Sequence, residues 1–346
     1  MLRVLSVAYP FAPVGPDAAG GAEQVLAAID AALVRAGHQS LVVAREDSRV
    51  AGTLLPIART EGPVDTAAHH FAHESVRRTI RDTLERRPVD LVHLHGVDFF
   101  RYLPPPGVPA LATLHLPPGW YPPQVFRPER PQTFLVCVSH SQRERCGASP
   151  AIVAVIRNGV PLARLEHRLH RRDYAAALGR ICPEKGFHHA LDACRRTDTP
   201  LLLGGRVFMH PEHQAYFTRE IVPRLDRRRR FLGPLGFRQK RRLLATARCL
   251  LVPSLVPETS SLVTMEALAC GTPVVAFPAG ALPDLVEHGR TGLLVADERE
   301  MGEALQAVRA IDPEACRSVA RERFSVAAMA ERYLDLFTRL AQKRAA

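Results

Sequence analysis

The chain has 346 residues, of which 47% are hydrophobic and 23% charged, with a formal net charge of +11. That length exceeds one ordinary core and suits two domains. The composition excludes a mostly disordered chain, a collagen-like repeat and a coiled coil, and no uncharged apolar run reaches the ~18 residues of a membrane span. The charge raises three partner classes: nucleic acid, an anionic membrane surface and phosphorylated small molecules.

Lysine occurs only at Lys185, Lys240 and Lys343. The arginine excess fits a GC-rich genome and is discounted to that extent. The seven cysteines are scattered, with no CxxC, which fits reduced thiols in a cytosol better than a disulfide framework or a zinc ribbon. The opening MLRVLSVAYPFAPVG is broken by Pro10 and Pro13 and reads as a buried first strand, not a signal peptide.

The first strand, 3–9, ends in a Pro- and Gly-rich loop that runs through Gly21. Helical spacing follows over 23–36, stopped by Gly37, and then a strand over 40–44. This is the first unit of a parallel sheet with crossover helices. A helix is expected over 74–87 and strands over 90–95, 110–115, 134–139 and 152–156. The proline-dense stretch 104–131 reads as a long ordered loop. A second series gives strands at 175–180, 200–204, 229–232, 249–253, 273–277 and 292–295. Its helices fall at 186–196, 213–225, 237–247, 262–269, 298–311 and 325–344. Two α/β units therefore stand in tandem, with a joint near 157–172.

In open parallel sheets ligands bind beyond the carboxyl ends of the strands. The loop before the helix at Glu23 carries Gly20 and Gly21, and amide groups at a helix start favour an anion. The loop GRICPEKG sets Arg180 and Lys185 five residues apart between a strand and a helix. A guanidinium fork and a lysine point charge together neutralise a diphosphate. The stretch PETSSLVTMEALACGTPVVAF places Glu258 in a loop and Glu266 just over one turn into a helix. Carboxylates accept pairs of hydrogen bonds from sugar hydroxyls. Ser260 and Ser261 can cap that helix, whose start again suits phosphate. A carboxylate pair would also serve a glycosidase, but a hydrolase has no use for a cationic diphosphate cradle.

With Glu258 and Glu266 separated by seven residues, this pattern resembles the E-x7-E motif of the retaining glycosyltransferases of family 4. MEALACGTPVVAF, GRICPEKG, Gly20-Gly21-Ala22-Glu23, TLH at 113–115, IRNGV at 156–160 and GALPDLVEHGRTGLLV are similar to the family's other blocks, in order along nearly the whole chain. The resemblance implies an α/β GT-B fold, with two Rossmann-like parallel-sheet domains facing a central cleft. The expected division is an acceptor-side domain over 1–160, a nucleotide-sugar domain over 161–324 and a helix over 325–346 that crosses back to the first. By the resemblance, Arg180 and Lys185 bind the donor diphosphate, Glu266 the ribose hydroxyls, and Glu258 the donor sugar. Gly20 and Gly21 approach the diphosphate from the other domain, and His115 contacts the sugar. Gly205, Arg206, the Gly233-Pro234-Leu235 loop, Ser260, Ser261, Leu262 and Val263 complete the donor set. Glu258, His115, Arg180 and Lys185 are the catalytic candidates. Where the family commonly has Phe-Gly, this chain has Ser260-Ser261, which narrows the φ range of that turn.

The expected reaction is transfer of a sugar, with retention, from a nucleotide-diphosphate sugar (UDP-sugar favoured) to an acceptor hydroxyl. Neither metal nor other cofactor is expected, since no DxD signature occurs. An epimerase or phosphorylase on the same fold is the alternative. A nucleic-acid binder is disfavoured by the absence of aromatic-basic interleaving. The histidine groups 69, 70 and 73, 93 and 95, and 188 and 189 lack zinc signatures. Trp120 and Tyr121 are equally suited to stacking on an acceptor sugar and to anchoring their loop. Residues 221–250 hold 10 basic side chains and 1 acidic one. Arg227 to Arg230 and Lys240 to Arg242 are therefore a candidate peripheral contact with an anionic membrane, the inner face of which is a candidate location for an otherwise cytoplasmic protein.

Overall fold

The computed structural model describes residues 1–62 and 64–342. The strands of the first sheet are Arg3–Val7 (β1), Gln39–Arg45 (β2), Thr53–Ile57 (β3), Leu91–Leu94 (β4), Ala110–Leu114 (β5), Thr133–Cys137 (β6) and Ile152–Val155 (β7). They form a parallel sheet in the order β3-β2-β1-β4-β5-β6-β7. Ala175–Leu178 (β8), Leu201–Gly204 (β9), Arg229–Phe231 (β10), Cys249–Val252 (β11), Val274–Ala276 (β12) and Gly292–Leu294 (β13) form a second, ordered β10-β9-β8-β11-β12-β13. It is parallel too.

Strands covered by crossover helices on both faces have no wet side, so they are written as nearly continuous apolar runs. LVHL of β4 and CLLV of β11 are buried at every position. Each sheet has its own core. Leu5, Val92, Leu94, Ala112 and Leu135 belong to the first, and Ala176, Leu203, Leu250, Met265 and Val275 to the second.

The chain divides into Met1–Asn158 with the residues from Ala327 onward, and Gly159–Val326. The last helix, Val326–Gln342, thus belongs almost wholly to the first unit. Its buried face of Met329, Tyr333, Leu336, Phe337 and Leu340 holds it there. Each large apolar side chain contributes roughly 1.5–3 kcal/mol on burial. The expected end of this helix, at residues 343 and 344, lies outside the described residues.

Four elements differ from expectation for identifiable reasons. β3 was not anticipated because TLLPI contains Pro56, but β3 is the edge strand of its sheet, where a missing amide is tolerated. The helix expected from 74 begins at Thr66, since the Asp65 carboxylate accepts from the Ala68 amide at 2.9 Å. The helix Pro313–Arg323 was missed, although Asp312 caps it and proline stands at its first position. The expected 213–225 helix starts at Pro211 and loosens after Tyr216 into a wider turn and then a tighter one at Val222–Arg224. Pro223 lies in that last turn and has no amide to donate.

All seven cysteines are free. The Cys137 and Cys146 sulfurs lie 3.8 Å apart, a thiol contact. Among the described residues no helix is long and apolar enough to cross a membrane.

Candidate active site

In the second unit the loops leaving the carboxyl ends of four neighbouring strands are tied together by their backbones. The Ile181 amide donates to the Arg206 carbonyl at 3.0 Å, Gly205 to Gly233 at 2.9 Å, and Leu255 to Glu184 at 2.8 Å. The GRICPEKG loop makes one turn of 3₁₀ helix, Pro183–Lys185, and Gly186 closes it in the left-handed region at φ 61°. The helix Phe187–Arg196 follows at once. Lys185 thereby sits over the loop that follows β11.

There its Nζ donates to Glu258 Oε1 at 2.5 Å. The same oxygen accepts the Ser254 hydroxyl. The Glu258 side chain is 8% exposed and that of Lys185 24%, so the pair is largely withdrawn from water. Removing one partner of such a pair strands the other, which costs more than a surface pair contributes. The Glu258 carbonyl also accepts from the Ala281 amide at 2.8 Å. The second carboxylate, Glu266, lies buried in the helix Leu262–Ala269, and Lys240 Nζ donates to it.

Two expectations on this helix are corrected. Ser261 stands at its N-cap, but no side-chain capping bond forms. Its Oγ accepts from the Thr264 hydroxyl at 2.9 Å instead. The Ser260 Oγ is buried and has no hydrogen-bond partner. The helix amides are therefore not covered by the two serines.

The basic stretch also looks different in space. Arg229 is 8% exposed and pairs with Asp226 and Asp198. Lys240 points at Glu266, away from solvent. Arg241 donates to the Arg164 carbonyl at 3.1 Å and bonds His167. Two of the seven cations expected to form one membrane-facing surface are thus turned inward. Arg227, Arg228, Arg230 and Arg242 remain exposed.

In the first unit the helix Gly21–Arg35 starts directly after Gly20, as the glycine pair suggests. Its own Glu23 folds back over that start. A Cβ at position 20 would lie 1.9 Å from Glu23 Oε2, so a larger residue there would push that carboxylate off the helix start. His115 follows the end of β5 and is joined to other imidazoles. Its Nε2 is 3.0 Å from His95 Nδ1, and His95 Nε2 is 3.1 Å from His93 Nδ1. Burial lowers the pKa of His93 to about 3 and of His115 to about 4, and holds that of His95 far below its ordinary value, so these rings are neutral at pH 7. Tyr121 is buried, its hydroxyl accepts from the Leu116 amide at 3.2 Å, and its ring packs on Phe99 and Phe126. It anchors the loop, while Trp120 is exposed.

Two triads converge closely enough to hold a cation, each with ligand atoms within 4.8 Å of one another. They are His69, His73 and Asp98, and Cys182, Glu184 and His213. In each, two members are close in sequence, His69 with His73 on one helix and Cys182 with Glu184 in one loop, and the third, Asp98 or His213, joins from another element. In the first, His73 Nε2 already bonds Asp98 at 2.6 Å. Lys240, Ser254 and Gly280 were not singled out as supports for the two glutamates.

Two parallel-sheet units, one bearing a lysine-carboxylate pair and a second buried carboxylate at its strand ends, define a protein of the GT-B class. Comparison with known proteins agrees. The family model described as Glycosyltransferase Family 4 matches residues 19–164, and that described as Glycosyl transferases group 1 matches residues 172–310. The chain belongs to this family of glycosyltransferases. It is 28% identical to the glycogen synthase of Mycobacterium tuberculosis, covering 92% of this chain and 89% of that one. It is 33% identical to the alpha-maltose-1-phosphate synthase of the same species over 55% of this chain and 58% of that one. Among solved structures, the Anabaena protein Alr3699/HepE in complex with UDP and glucose superposes with a TM-score of 0.76 at 19% identity, covering 98% of this chain and 100% of that one.

Proposed function

We propose that this glycosyltransferase moves a sugar from a nucleotide-diphosphate sugar, with UDP as the favoured nucleotide, to an acceptor hydroxyl with retention at C1 and without a metal. The observation that carries this reading is the pairing of Lys185 with Glu258 at 2.5 Å. It joins the loop suited to a diphosphate with the carboxylate suited to sugar hydroxyls. In this reading Arg180 and Lys185 take up charge that develops on the leaving diphosphate, and the helix start at Leu262 and Val263 adds its amides. The unpartnered Ser260 hydroxyl supports a ligand at this turn. Glu266 accepts ribose hydroxyls, Glu258 accepts donor-sugar hydroxyls, and the Gly233-Pro234-Leu235 loop, with Gly205 and Arg206 beside it, borders the nucleotide. Gly20, Gly21 and His115 are the remaining residues of the proposed donor set. The acceptor attacks from the face that the diphosphate leaves, and a phosphate oxygen takes its proton. The relatives support the donor class, since the Anabaena protein was solved with UDP and glucose. A peripheral membrane contact through Arg227, Arg228, Arg230 and Arg242 belongs to the same reading, as does a cytoplasmic location.

A donor panel read by thermal shift tests the binding step. A ligand present at 100 times its Kd stabilises the fold by about 2.7 kcal/mol. UDP and one UDP-sugar should raise Tm by several degrees, in EDTA as in buffer, while GDP-mannose raises it less. No shift with any nucleotide sugar would remove the proposal.

A further inference from the structure

The imidazole chain of the first unit continues past His93. His93 Nε2 lies 2.8 Å from Thr113 Oγ1, and Thr113 Oγ1 lies 3.1 Å from the hydroxyl of Tyr333. Tyr333 comes from the last helix, 220 positions away in sequence from Thr113. His93, Thr113 and Tyr333 are each 0% exposed.

The far end of this chain fixes its direction. The Tyr333 hydroxyl carries one proton, and among the described residues its one hydrogen-bond partner is Thr113 Oγ1. A buried hydroxyl proton left without an acceptor forfeits its hydrogen bond and retains its desolvation cost. Tyr333 therefore donates to Thr113. The Thr113 hydroxyl also carries one proton, and its remaining partner is His93 Nε2, so it donates there. A neutral imidazole bears one N–H. With Nε2 accepting, His93 carries its proton on Nδ1 and donates to His95 Nε2. His95 in turn donates from Nδ1 to His115 Nε2. The opposite direction satisfies every ring but strands the Tyr333 proton in the core.

We propose that Tyr333, acting through Thr113, His93 and His95, fixes the neutral ring of His115 with its proton on Nδ1 and its Nε2 as acceptor. Tyr333 and Thr113 are then positioning residues, and a ligand oxygen that meets His115 at Nδ1 meets a hydrogen-bond donor. This last step rests on the proposed role of His115 at the sugar, whereas the tautomer does not.

The test is a long-range proton–nitrogen correlation spectrum of the full-length protein labelled with nitrogen-15 in histidine. His115→Gln identifies the His115 signals by their loss. The expected pattern is a pyrrole-type Nδ1 and a pyridine-type Nε2 for all three rings. Tyr333→Phe and Thr113→Val should move the His115 shifts toward the average of the two neutral forms, while Thr113→Ser keeps them as in the wild type. A wild-type His115 protonated on Nε2 would overturn the proposal, as would shifts that Tyr333→Phe leaves unmoved. The wild-type spectrum decides the direction by itself, even where a variant does not fold. It also decides without a sugar donor, so failure of the transferase reading leaves a distinct signature: the predicted tautomers in a protein that binds no nucleotide.

Discussion

Alanine at Lys185 should lower kcat/KM for sugar transfer by ~10²–10³-fold, the range seen when one preorganised group is removed from a developing anion, about 3–4 kcal/mol. The charge that leaves is the only lysine on the GRICPEKG loop, and it is held ready by Glu258 and not by solvent. The loss should fall mainly on kcat, because diphosphate charge grows as the sugar bond breaks. Arginine at the same position should not restore it. A planar guanidinium does not reproduce a point donor to Glu258 Oε1. Steady-state kinetics with wild type, Lys185→Ala and Lys185→Arg check this, and an alanine variant within threefold of wild type would refute the cradle. Thermal melting separates a second consequence. The alanine variant leaves the Glu258 carboxylate without its cation, and the Ser254 hydroxyl that it still accepts is neutral, so it should melt lower than wild type, and high salt should not narrow the gap much for a pair this withdrawn from solvent.

Alanine at Gly280 should also cost activity, and by a different route. Gly280 has φ 63°, and its backbone bridges to Glu258. A Cβ there would lie 2.3 Å from the Glu258 carbonyl oxygen and 2.5 Å from its amide nitrogen, and both are backbone atoms that have no rotamer to escape into. The left-handed conformation adds about 1–2 kcal/mol of strain for a non-glycine residue. The loop must shift by tenths of an ångström or more, and Glu258 shifts with it. A misplacement on the order of 1 Å costs about 100-fold in rate. We therefore expect kcat/KM to fall ~10- to 100-fold together with a lower Tm. Gly289, also at positive φ but with open space around its would-be Cβ, is the control: alanine there should carry the conformational cost without the loss of activity. Equal activity losses at the two glycines would contradict the argument.

Legibility followed sequence distance. Every strand but β3 was readable, because buried parallel strands are written as short apolar runs, and the helix Leu262–Ala269 appears at its expected bounds. Lys185, Glu258 and Glu266 were nameable because they lie in loops or first turns after such strands. Their partners were not. Lys185 and Glu258 are 73 positions apart and Lys240 and Glu266 are 26. Only the pairing of β8 with β11 makes neighbours of the loops that carry Lys185 and Glu258, and only the packing of the helix Phe237–Thr246 beside Leu262–Ala269 brings Lys240 to Glu266. Charge counting put Lys240 and Arg229 on a surface, whereas each has a carboxylate partner that draws it inward. Gly280 reads as an ordinary turn glycine until the Glu258 backbone is seen against it. The role inferred for Tyr333 depends on a helix that joins the first unit from the far end of the chain, which no local pattern announces.

The central claim is retaining transfer from a nucleotide-diphosphate sugar, and it can be tested before the acceptor is known. Water reaches most transferase sites slowly and serves as a default acceptor, so UDP-glucose plus water gives UDP plus free glucose. The measurement is a time course of proton NMR spectra of the enzyme with UDP-glucose, and with UDP-N-acetylglucosamine as a second donor, recorded faster than the released sugar mutarotates. The account predicts that UDP and the α-anomer appear first and together, in the presence of EDTA, and that Lys185→Ala abolishes both signals. Release of the β-anomer first, conversion of the donor into its epimer, or intact donor with every nucleotide sugar and acceptor sugar supplied would contradict it.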